Sequence, residues 1–349
     1  MKNNKKSKIT VILDRIAGFI IVTVFAIGIG ALAAGAVLLN GPSESLNNKM
    51  KSTFLETRRF TFVPYIYKSA EEVDEVGYVN SRDSVNVENL FDNSLINVGK
   101  AENASSEDWA SQFGLTDEDN DGFIFHKFTY KGSTYFMMIV QDPSRVFVGT
   151  AIHDPNANYG YGRILDDIVA DYDALGGINA GGFIDDSGAG AGWPPDGITY
   201  SEGVCFNPNP AGPVAGIDEN GILFVAYLEY QNCEDFHIRD AVSFGPILIQ
   251  NGEEVDQASL DSGINPRTAI GQCADGTIIL MVVDGRQAYS IGASFADCAD
   301  VLFNFGCINA INMDGGNSTS MFYDGEIVNN PTNPAGGTRN LPDAWLVRK

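Results

Sequence analysis

The stretch Asp275–Arg286, "DGTIILMVVDGR", contains the signals from which the fold of this 349-residue chain is inferred. A turn dipeptide, Asp275-Gly276, precedes the apolar run "TIILMVV". An apolar run of this length bounded by turn residues is typical of a buried strand. The run ends at Asp284-Gly285-Arg286, so a carboxylate and a guanidinium directly follow a buried element.

The pairing of a turn dipeptide with apolar runs recurs along the chain. Lys131-Gly132 joins "FIFHKFTY" to "STYFMMIVQ", Asn220-Gly221 precedes "ILFVAYL", and Asp324-Gly325 separates "MFY" from "EIV". Such spacing favours antiparallel strands. Apolar residues at helical spacing predict two helices, "RILDDIVADYDAL" and "FADCADVLFNF", each closed by glycine. The sequence therefore predicts an α+β or mixed α/β fold, with a mainly antiparallel mixed sheet and flanking helices.

The charge balance bears on the partners of the protein. The formal net charge is −23, which argues against nucleic acid, because phosphate backbones require a basic surface. An anionic substrate would need a local group of arginines. Salt screens the repulsion of the remaining surface beyond about 8–10 Å, so a few arginines suffice.

The N-terminal region predicts a membrane anchor. Residues Ile16 to Leu39 are apolar or small apart from Thr23, and about 20 such residues span a bilayer. Lysines precede this segment, which places the N-terminus in the cytoplasm and the rest of the chain outside a single-pass cell membrane protein. The alternative is a cleaved signal peptide, with Ala31-Leu32-Ala33 or Ala34-Gly35-Ala36 as its cleavage site.

Composition divides the chain into four parts. A basic tail (1–15) and the apolar segment (16–39) precede a polar, acidic region (40–116). We interpret this region as a stalk with a peripheral segment, part of which packs on the folded domain. The regular strand and helix signals occupy residues 117–349 and predict a single folded domain there.

Metal and cofactor motifs are missing from the sequence. The five cysteines form no C-x-x-C pair, and Cys205 with Cys233 are either a disulfide or buried thiols. The three histidines stand near no serine or cysteine motif, and no phosphate-binding glycine loop occurs. Residues 117–122 match the start of a calcium loop, but Phe128 stands where a carboxylate is needed, which favours an acidic turn. We expect no metal and no cofactor.

Candidate site residues follow the apolar strands. In Asp314-Gly315-Gly316 the two glycines allow close approach of the backbone to a ligand, and Ser318 and Thr319 add hydroxyl groups. A polar loop whose hydroxyls only cap the backbone is the alternative.

Other polar residues join this candidate site. Asn179 ends a buried strand before a glycine pair, as Asn312 does before Gly315-Gly316, which suggests two strand ends of one sheet. Arg267 with Thr268, and Arg286 after Asp284, are candidates for an anion pocket, because guanidinium groups bind phosphate through paired hydrogen bonds.

The chain resembles the phosphodiester glycosidase family from about Asp121 to Lys349. The resemblance is carried by a series of motifs in one order: "INAGGF" at Ile178–Phe183, "SFGPILIQNG" at Ser243–Gly252, "NPRTAIG" at Asn265–Gly271, "VVDGR" at Val282–Arg286, "INMDGGNSTSM" at Ile311–Met321, and the tail Val328–Val347. The chain departs from the pattern at Asn317, Asp343 and Trp345, where smaller or amide residues are expected.

The resemblance implies hydrolysis of sugar-1-phosphodiesters, such as N-acetylglucosamine phosphodiesters, in cell-surface or exopolysaccharide material. Asp314 and Asp284 would be the catalytic carboxylates, and Arg267, Thr268 and Arg286 would bind phosphate.

Further residues would bind the substrate: Asn179, Gly315, Gly316, Ser318 and Thr319. The sequence does not fix the distance between the carboxylates, so retention or inversion stays open. A non-catalytic polysaccharide-binding protein or a structural envelope protein is the alternative.

Overall fold

The structure is a computed structural model, which describes residues 8–57, 60–74, 92–103, 105–157, 160–184, 190–256, 260, 262–333 and 336–349. The chain forms two compact units, Met1–Gly77 and Tyr78–Lys349. The predicted basic tail and stalk lie partly outside the described residues, at 1–7, 58–59, 75–91 and 104.

The first unit is helical. Its helices are α1 (Lys8–Asn40), α2 (Glu44–Glu56), α3 (Pro64–Tyr67) and α4 (Ala70–Asp74). Helix α2 begins after Ser43, whose hydroxyl accepts a hydrogen bond from the Leu46 amide at 3.3 Å, as expected of an N-cap. Within α1, residues Phe19–Asn40 are long and apolar enough to cross a membrane, a property that signal sequences share.

The second unit contains most of the strands and the remaining helices. Its helices are α5 (Val98–Asn103), α6 (Ser106–Ser111), α7 (Leu165–Asp171), α8 (Tyr230–Asp235) and α9 (Phe295–Asn304). Its strands are β1 (Phe123–Tyr130), β2 (Ser133–Val140), β3 (Val146–Thr150), β4 (Gly176–Asn179), β5 (Gly182–Phe183), β6 (Pro195–Asp196), β7 (Thr199–Ser201), β8 (Val204–Asn207), β9 (Val214–Asp218), β10 (Leu223–Ala226), β11 (Ile238–Ser243), β12 (Ile247–Gln250), β13 (Glu253–Glu254), β14 (Arg267–Cys273), β15 (Ile278–Val283), β16 (Cys307–Met313), β17 (Met321–Tyr323), β18 (Glu326–Ile327) and β19 (Asp343–Val347).

These strands form three large antiparallel sheets. The first has the order β1-β2-β15-β14-β16-β12-β13, the second β10-β9-β11-β7-β8, and the third β18-β17-β4-β19-β3. Strands β5 and β6 form a separate pair. The predicted fold class, mainly antiparallel strands with flanking helices, is confirmed.

Strand β15 is apolar along its whole length because both of its faces are buried. Ile278, Leu280 and Val282 face the core shared with the two five-stranded sheets. Ile279, Met281 and Val283 face the opposite side, where they pack in one cluster with residues of α9. A strand covered on both faces has no polar side, so its sequence does not alternate.

The core also takes in residues from the region predicted to be peripheral. Trp109 of α6 is buried in the same cluster as α9, and its indole N–H donates to the Thr277 hydroxyl at 2.7 Å. Part of the acidic region therefore packs on the folded unit. The hydrogen bond to Thr277 satisfies the indole N–H, which needs a partner once it is buried.

The predicted turns join strands as expected. Lys131-Gly132 and Asp324-Gly325 have positive φ at both residues, which two-residue hairpins favour, and Asp275-Gly276 lies between β14 and β15. The two predicted helices are α7 and α9. The expectation that glycine closes the first is wrong, because α7 ends at Asp171 and Gly176 begins β4. Residues 117–122 form a turn before β1, and Cys205 and Cys233 are free thiols.

Candidate active site

The ends of several strands meet at one place. Strand β14 runs antiparallel to β15 and β16, so its start at Arg267 pairs with Val283, and Thr268 pairs with Met313. Asp284 and Asp314 therefore follow strands that end on either side of the start of β14. The expectation that Asn179 shares this sheet is wrong, because β4 pairs with β17 and β19 in a different sheet.

Asn179 connects the two sheets through its side chain. Its Nδ2 donates to the Asp314 carbonyl at 2.6 Å, and its Oδ1 accepts from the Thr268 hydroxyl at 2.8 Å and the Ser320 amide at 3.1 Å. The side chain is fully buried. These contacts join β4 to β14 and to the segment that follows β16. Their loss would remove hydrogen bonds from buried polar groups, which is unfavourable.

Asp284 belongs to the same hydrogen-bond network. Its Oδ1 accepts from the Asn330 amide at 2.8 Å and from Asn329 Nδ2 at 3.3 Å, and Asn329 also donates to the Thr319 carbonyl at 3.2 Å. The Thr319 hydroxyl lies 3.4 Å from that of Thr268, which binds Asn179. The predicted site residues on β4, β14 and the loops after β15 and β16 are thus linked. Burial raises the pKa of the Asp284 carboxyl.

The two glycines after Asp314 lie where neighbouring groups approach the backbone closely. Gly316 has a φ of +60°, and its amide donates to the Pro266 carbonyl at 2.9 Å. A Cβ on Gly315 would lie 2.9 Å from the same carbonyl, and one on Gly316 would lie 3.3 Å from a guanidinium nitrogen of Arg286. The Gly316 N–H is therefore committed to the protein, whereas its lack of a side chain leaves room for Arg286.

The two predicted phosphate-binding arginines lie in different environments. Arg267 is buried over the Phe295 ring, and it donates to the Ala293 carbonyl at 3.0 Å and the Gly263 carbonyl at 2.6 Å. Arg286 is exposed, and its guanidinium donates to side-chain oxygens of Asn265 and Asn317. The accessible positive charge beside the glycine pair thus comes from Arg286.

The half-buried Asp314 has a second carboxyl group near it. The Asp314 amide donates to the Ala180 carbonyl at 2.9 Å, while the fully buried Asp343 accepts from the Gly181 amide at 2.6 Å and the Thr199 hydroxyl at 3.1 Å. Burial, with a smaller contribution from the Asp314 charge, raises the pKa of Asp343 to about 7. Two carboxyl groups therefore flank the segment that follows β4.

Ser318 has an unusual environment in this loop. Its hydroxyl is buried and has no hydrogen-bond partner among the described residues. Such a group costs about 1–3 kcal/mol, and a role in binding or catalysis is one explanation for it.

Comparison with known proteins identifies the family of this chain. A model of the phosphodiester glycosidase family matches residues 172–348, just over half of the chain. The chain therefore belongs to the phosphodiester glycosidase family, as its motifs predicted. The family is one of hydrolases, so the predicted enzyme class is confirmed.

Two curated proteins are similar over short segments. SPbeta prophage-derived uncharacterized protein YomE of Bacillus subtilis (strain 168) is 35% identical over 96 residues, which are 26% of this chain and 15% of that protein. The N-acetylglucosamine-1-phosphodiester alpha-N-acetylglucosaminidase of Bos taurus is 35% identical over 69 residues, which are 20% of this chain and 13% of that protein. The matches cover less than a sixth of either relative.

Two solved structures share the fold. The zebrafish N-acetylglucosamine-1-phosphodiester alpha-N-acetylglucosaminidase catalytic domain, auto-inhibited by its pro-peptide, superposes with a TM-score of 0.56 at 20% identity, covering 65% of this chain and 82% of that one. A hypothetical protein from Synechocystis gives a TM-score of 0.51 at 16% identity, covering 65% and 62%. At these identities the likeness concerns the fold alone.

Two residues that contact the predicted site, Asn329 and Asp343, were not predicted from the sequence as site residues. Asn329 bridges Asp284 to Thr319, and Asp343 holds the segment after β4, although neither follows an apolar strand. Both lie in the tail Val328–Val347, which carries part of the family resemblance, and Asp343 departs there from the family pattern. Their place in this tail motif is the signal in the sequence that could have identified them.

Proposed function

We propose that this chain is a hydrolase of sugar-1-phosphodiesters, with a substrate of the N-acetylglucosamine phosphodiester type, and that its reaction occurs at the strand ends around Asn179. Membership of the family supports the reaction class. The observation that carries the location is the hydrogen-bonded network from Asp284 through Thr319, Thr268 and Asn179 to Asp314. With Asn329, which bridges Asp284 to Thr319, it joins residues from five separate motifs.

The chemistry of the substrate determines what the site must supply. Cleavage of the bond between the anomeric carbon and the phosphate oxygen expels the phosphomonoester as a stable anion, while water supplies the new hydroxyl group of the sugar. Strong protonation of the leaving group is therefore less necessary than in other glycosidases. What is needed is a carboxylate for the oxocarbenium-like centre and positive charge for the phosphate. Asp314 takes the first role, as nucleophile, as electrostatic partner or by activating water.

Arg286 takes the second role. It is exposed beside Gly316, and its planar guanidinium presents several N–H donors that fit phosphate oxygens. Gly315 and Gly316 allow Pro266 and Arg286 to approach the loop that carries Asp314, and the hydroxyl of Ser318 is buried in the same loop.

The other predicted residues position this pair. Arg267 holds the carbonyls of Gly263 and Ala293, and Thr268, Thr319 and Asn179 fix the strand ends. Asp284, proposed from the sequence as the second catalytic carboxylate, holds Asn329 and Asn330 and so acts on the loop that they begin.

The proposal extends to the location of the enzyme. Helix α1 contains an apolar stretch, Phe19–Asn40, whose large side chains from Phe19 to Leu32 are exposed. Lysines precede it, which favours a cytoplasmic N-terminus and a catalytic unit outside the cell membrane. The substrate would then be cell-surface or exopolysaccharide material.

A direct test uses the full chain in detergent with a synthetic N-acetylglucosamine phosphodiester. We expect release of free sugar and a phosphomonoester, and a fall of at least about 10²-fold in kcat for Asp314→Asn, the scale typical of a lost acid or base. Asp154→Asn, at an exposed position, is the matched control. Unfolding curves must show that both variants remain folded.

The outcomes separate this proposal from its alternatives. Tight binding of the phosphodiester without release of sugar would mean a binding protein. If Asp314→Asn and Arg286→Ala both bind and turn over substrate like the wild type, the site has been placed wrongly.

A further inference from the structure

A group of exposed apolar side chains lies in the first compact unit, within Phe60–Ile66, which we call the aromatic segment. The exposed fractions are 53% for Phe60, 58% for Phe62, 45% for Tyr65 and 54% for Ile66. Four large side chains this close together are unusual on a surface that faces only water.

The aromatic segment is followed by a residue that contacts α1. Tyr67, the last residue of α3, donates its hydroxyl hydrogen to the Leu32 carbonyl at 3.1 Å. A Cβ on Gly35 would lie 2.5 Å from the Tyr67 hydroxyl oxygen, so the glycine permits this contact. Helix α3, which contains Tyr65 and Ile66 of the segment, therefore contacts α1 between Leu32 and Gly35.

The exposure of α1 changes at the same level. Large side chains from Phe19 to Ile29 are exposed all round the helix, whereas Leu39 is completely buried. Helices α2 and α3 both pack on α1. The face of the last turn that carries Leu39 is thus covered by protein, whereas Val37 on another face remains 68% exposed.

The length of the uncovered part fits a bilayer. Ile16 to Ala34 contains 19 residues. A hydrocarbon core of about 30 Å requires about 20 residues at 1.5 Å each. The apolar stretch continued to Leu39 would exceed that thickness, so its final residues would lie above the core.

Charged residues flank the aromatic segment on both sides. Arg58-Arg59 precede it in the sequence, outside the described residues, and Lys68 follows it and forms an ion pair with Glu72 at 3.2 Å. Aromatic rings with basic neighbours are typical of the headgroup region, where rings meet acyl chains and cations meet phosphate.

We propose that the aromatic segment inserts into the headgroup region of the outer leaflet and that the lipid-embedded part of α1 ends near Gly35. The partner is thus the lipid interface itself. This inference rests on the proposed membrane anchor. It adds a depth, set by the contact between Tyr67 and α1, and a second point of attachment.

The test measures the depth of single introduced tryptophans by quenching with brominated lipids. The full chain is reconstituted into phosphatidylcholine vesicles whose lipids carry bromine near the top or near the end of the acyl chain. Three variants are compared: Phe62→Trp in the aromatic segment, Phe25→Trp in α1, and Phe303→Trp on α9 as an exposed control. The signal of Trp109, Trp193 and Trp345 in the wild type is subtracted.

We expect Phe62→Trp to be quenched several-fold more by the shallow bromines than by the deep ones, Phe25→Trp to show the reverse, and Phe303→Trp to be unaffected by either. Quenching of Phe25→Trp without quenching of Phe62→Trp would overturn the inference and leave the anchor intact. No quenching of Phe25→Trp would overturn the anchor itself, and the catalytic assay above remains a separate measurement.

The role of Tyr67 is tested in the same system. Tyr67→Ala in the Phe62→Trp background should weaken the preference for shallow bromines, because α3 loses its hydrogen bond to Leu32. An unchanged depth profile would show that Tyr67 does not set the position of the segment.

Discussion

The side-chain amide of Asn179 donates a 2.6 Å hydrogen bond to the backbone carbonyl of Asp314, 135 residues further along the chain. Asn179 ends β4 in one sheet and Asp314 follows β16 in another. This contact holds the backbone of the proposed catalytic carboxylate from a neighbouring sheet, so the position of Asp314 depends on how the sheets pack.

Replacing Asn179 by alanine should destabilise the folded unit. The Asp314 carbonyl, the Thr268 hydroxyl and the Ser320 amide would lose a buried partner, which we expect to cost about 2–4 kcal/mol. Chemical unfolding followed by tryptophan fluorescence measures the loss. Asn304→Ala is the control, because that amide donates to the Asp300 carbonyl at an exposed helix end. Equal losses in both variants would contradict the role of Asn179.

Arg286→Gln should lower kcat/KM for a phosphodiester substrate by about 10- to 100-fold, the scale of a lost hydrogen bond to a charged group. Arg286→Lys should restore only part, since a lysine keeps the charge but loses the paired donors. Arg348→Gln, which removes another exposed arginine, is the control. Full activity in Arg286→Gln would exclude Arg286 from phosphate binding.

Glycine 316 should tolerate alanine less well than Gly325. Both have positive φ, so alanine strains the backbone in each, by about 1 kcal/mol. Only at Gly316 would the new Cβ lie 3.3 Å from the Arg286 guanidinium, whereas Gly325 faces open space. We therefore expect Gly316→Ala to lose activity as well as stability and Gly325→Ala to lose stability alone. Equal activity in the two variants would show that the space beside Arg286 is not needed.

The buried carboxyl of Asp343 should make stability depend on pH. Its pKa of about 7 lies above the ordinary value near 4, so between these values the folded protein holds a proton that the unfolded chain has lost. The stability of the wild type should therefore fall as pH rises from about 4 to about 7, by about 4 kcal/mol once Asp343 is ionised.

Asp343→Asn removes this titration and can keep the contacts with Gly181 and Thr199. The difference in unfolding free energy between the variant and the wild type should grow in favour of the variant as pH rises through that window. The exposed Asp154→Asn should follow the wild type at each pH. Parallel curves for Asp343→Asn and the wild type would show that Asp343 does not titrate there.

Local signals in the sequence predict the strands, their turns and the family of this protein. Turn dipeptides and the apolar run of β15 are local signals, and "DGTIILMVVDGR" predicts a buried antiparallel strand because backbone geometry and hydrophobic burial act within a few residues. The motifs also predict that Asp314, Arg286 and Asn179 belong to one site.

The roles that we propose for these residues depend on contacts between distant parts of the chain. Asn179 reaches Asp314 from a second sheet, Arg267 is committed to backbone carbonyls while Arg286 stays exposed, and Asp343 acquires its raised pKa. Each depends on burial and on partners distant in the chain. A residue's type gives its chemistry, but its charge state and free donors follow from neighbours that only folding brings together.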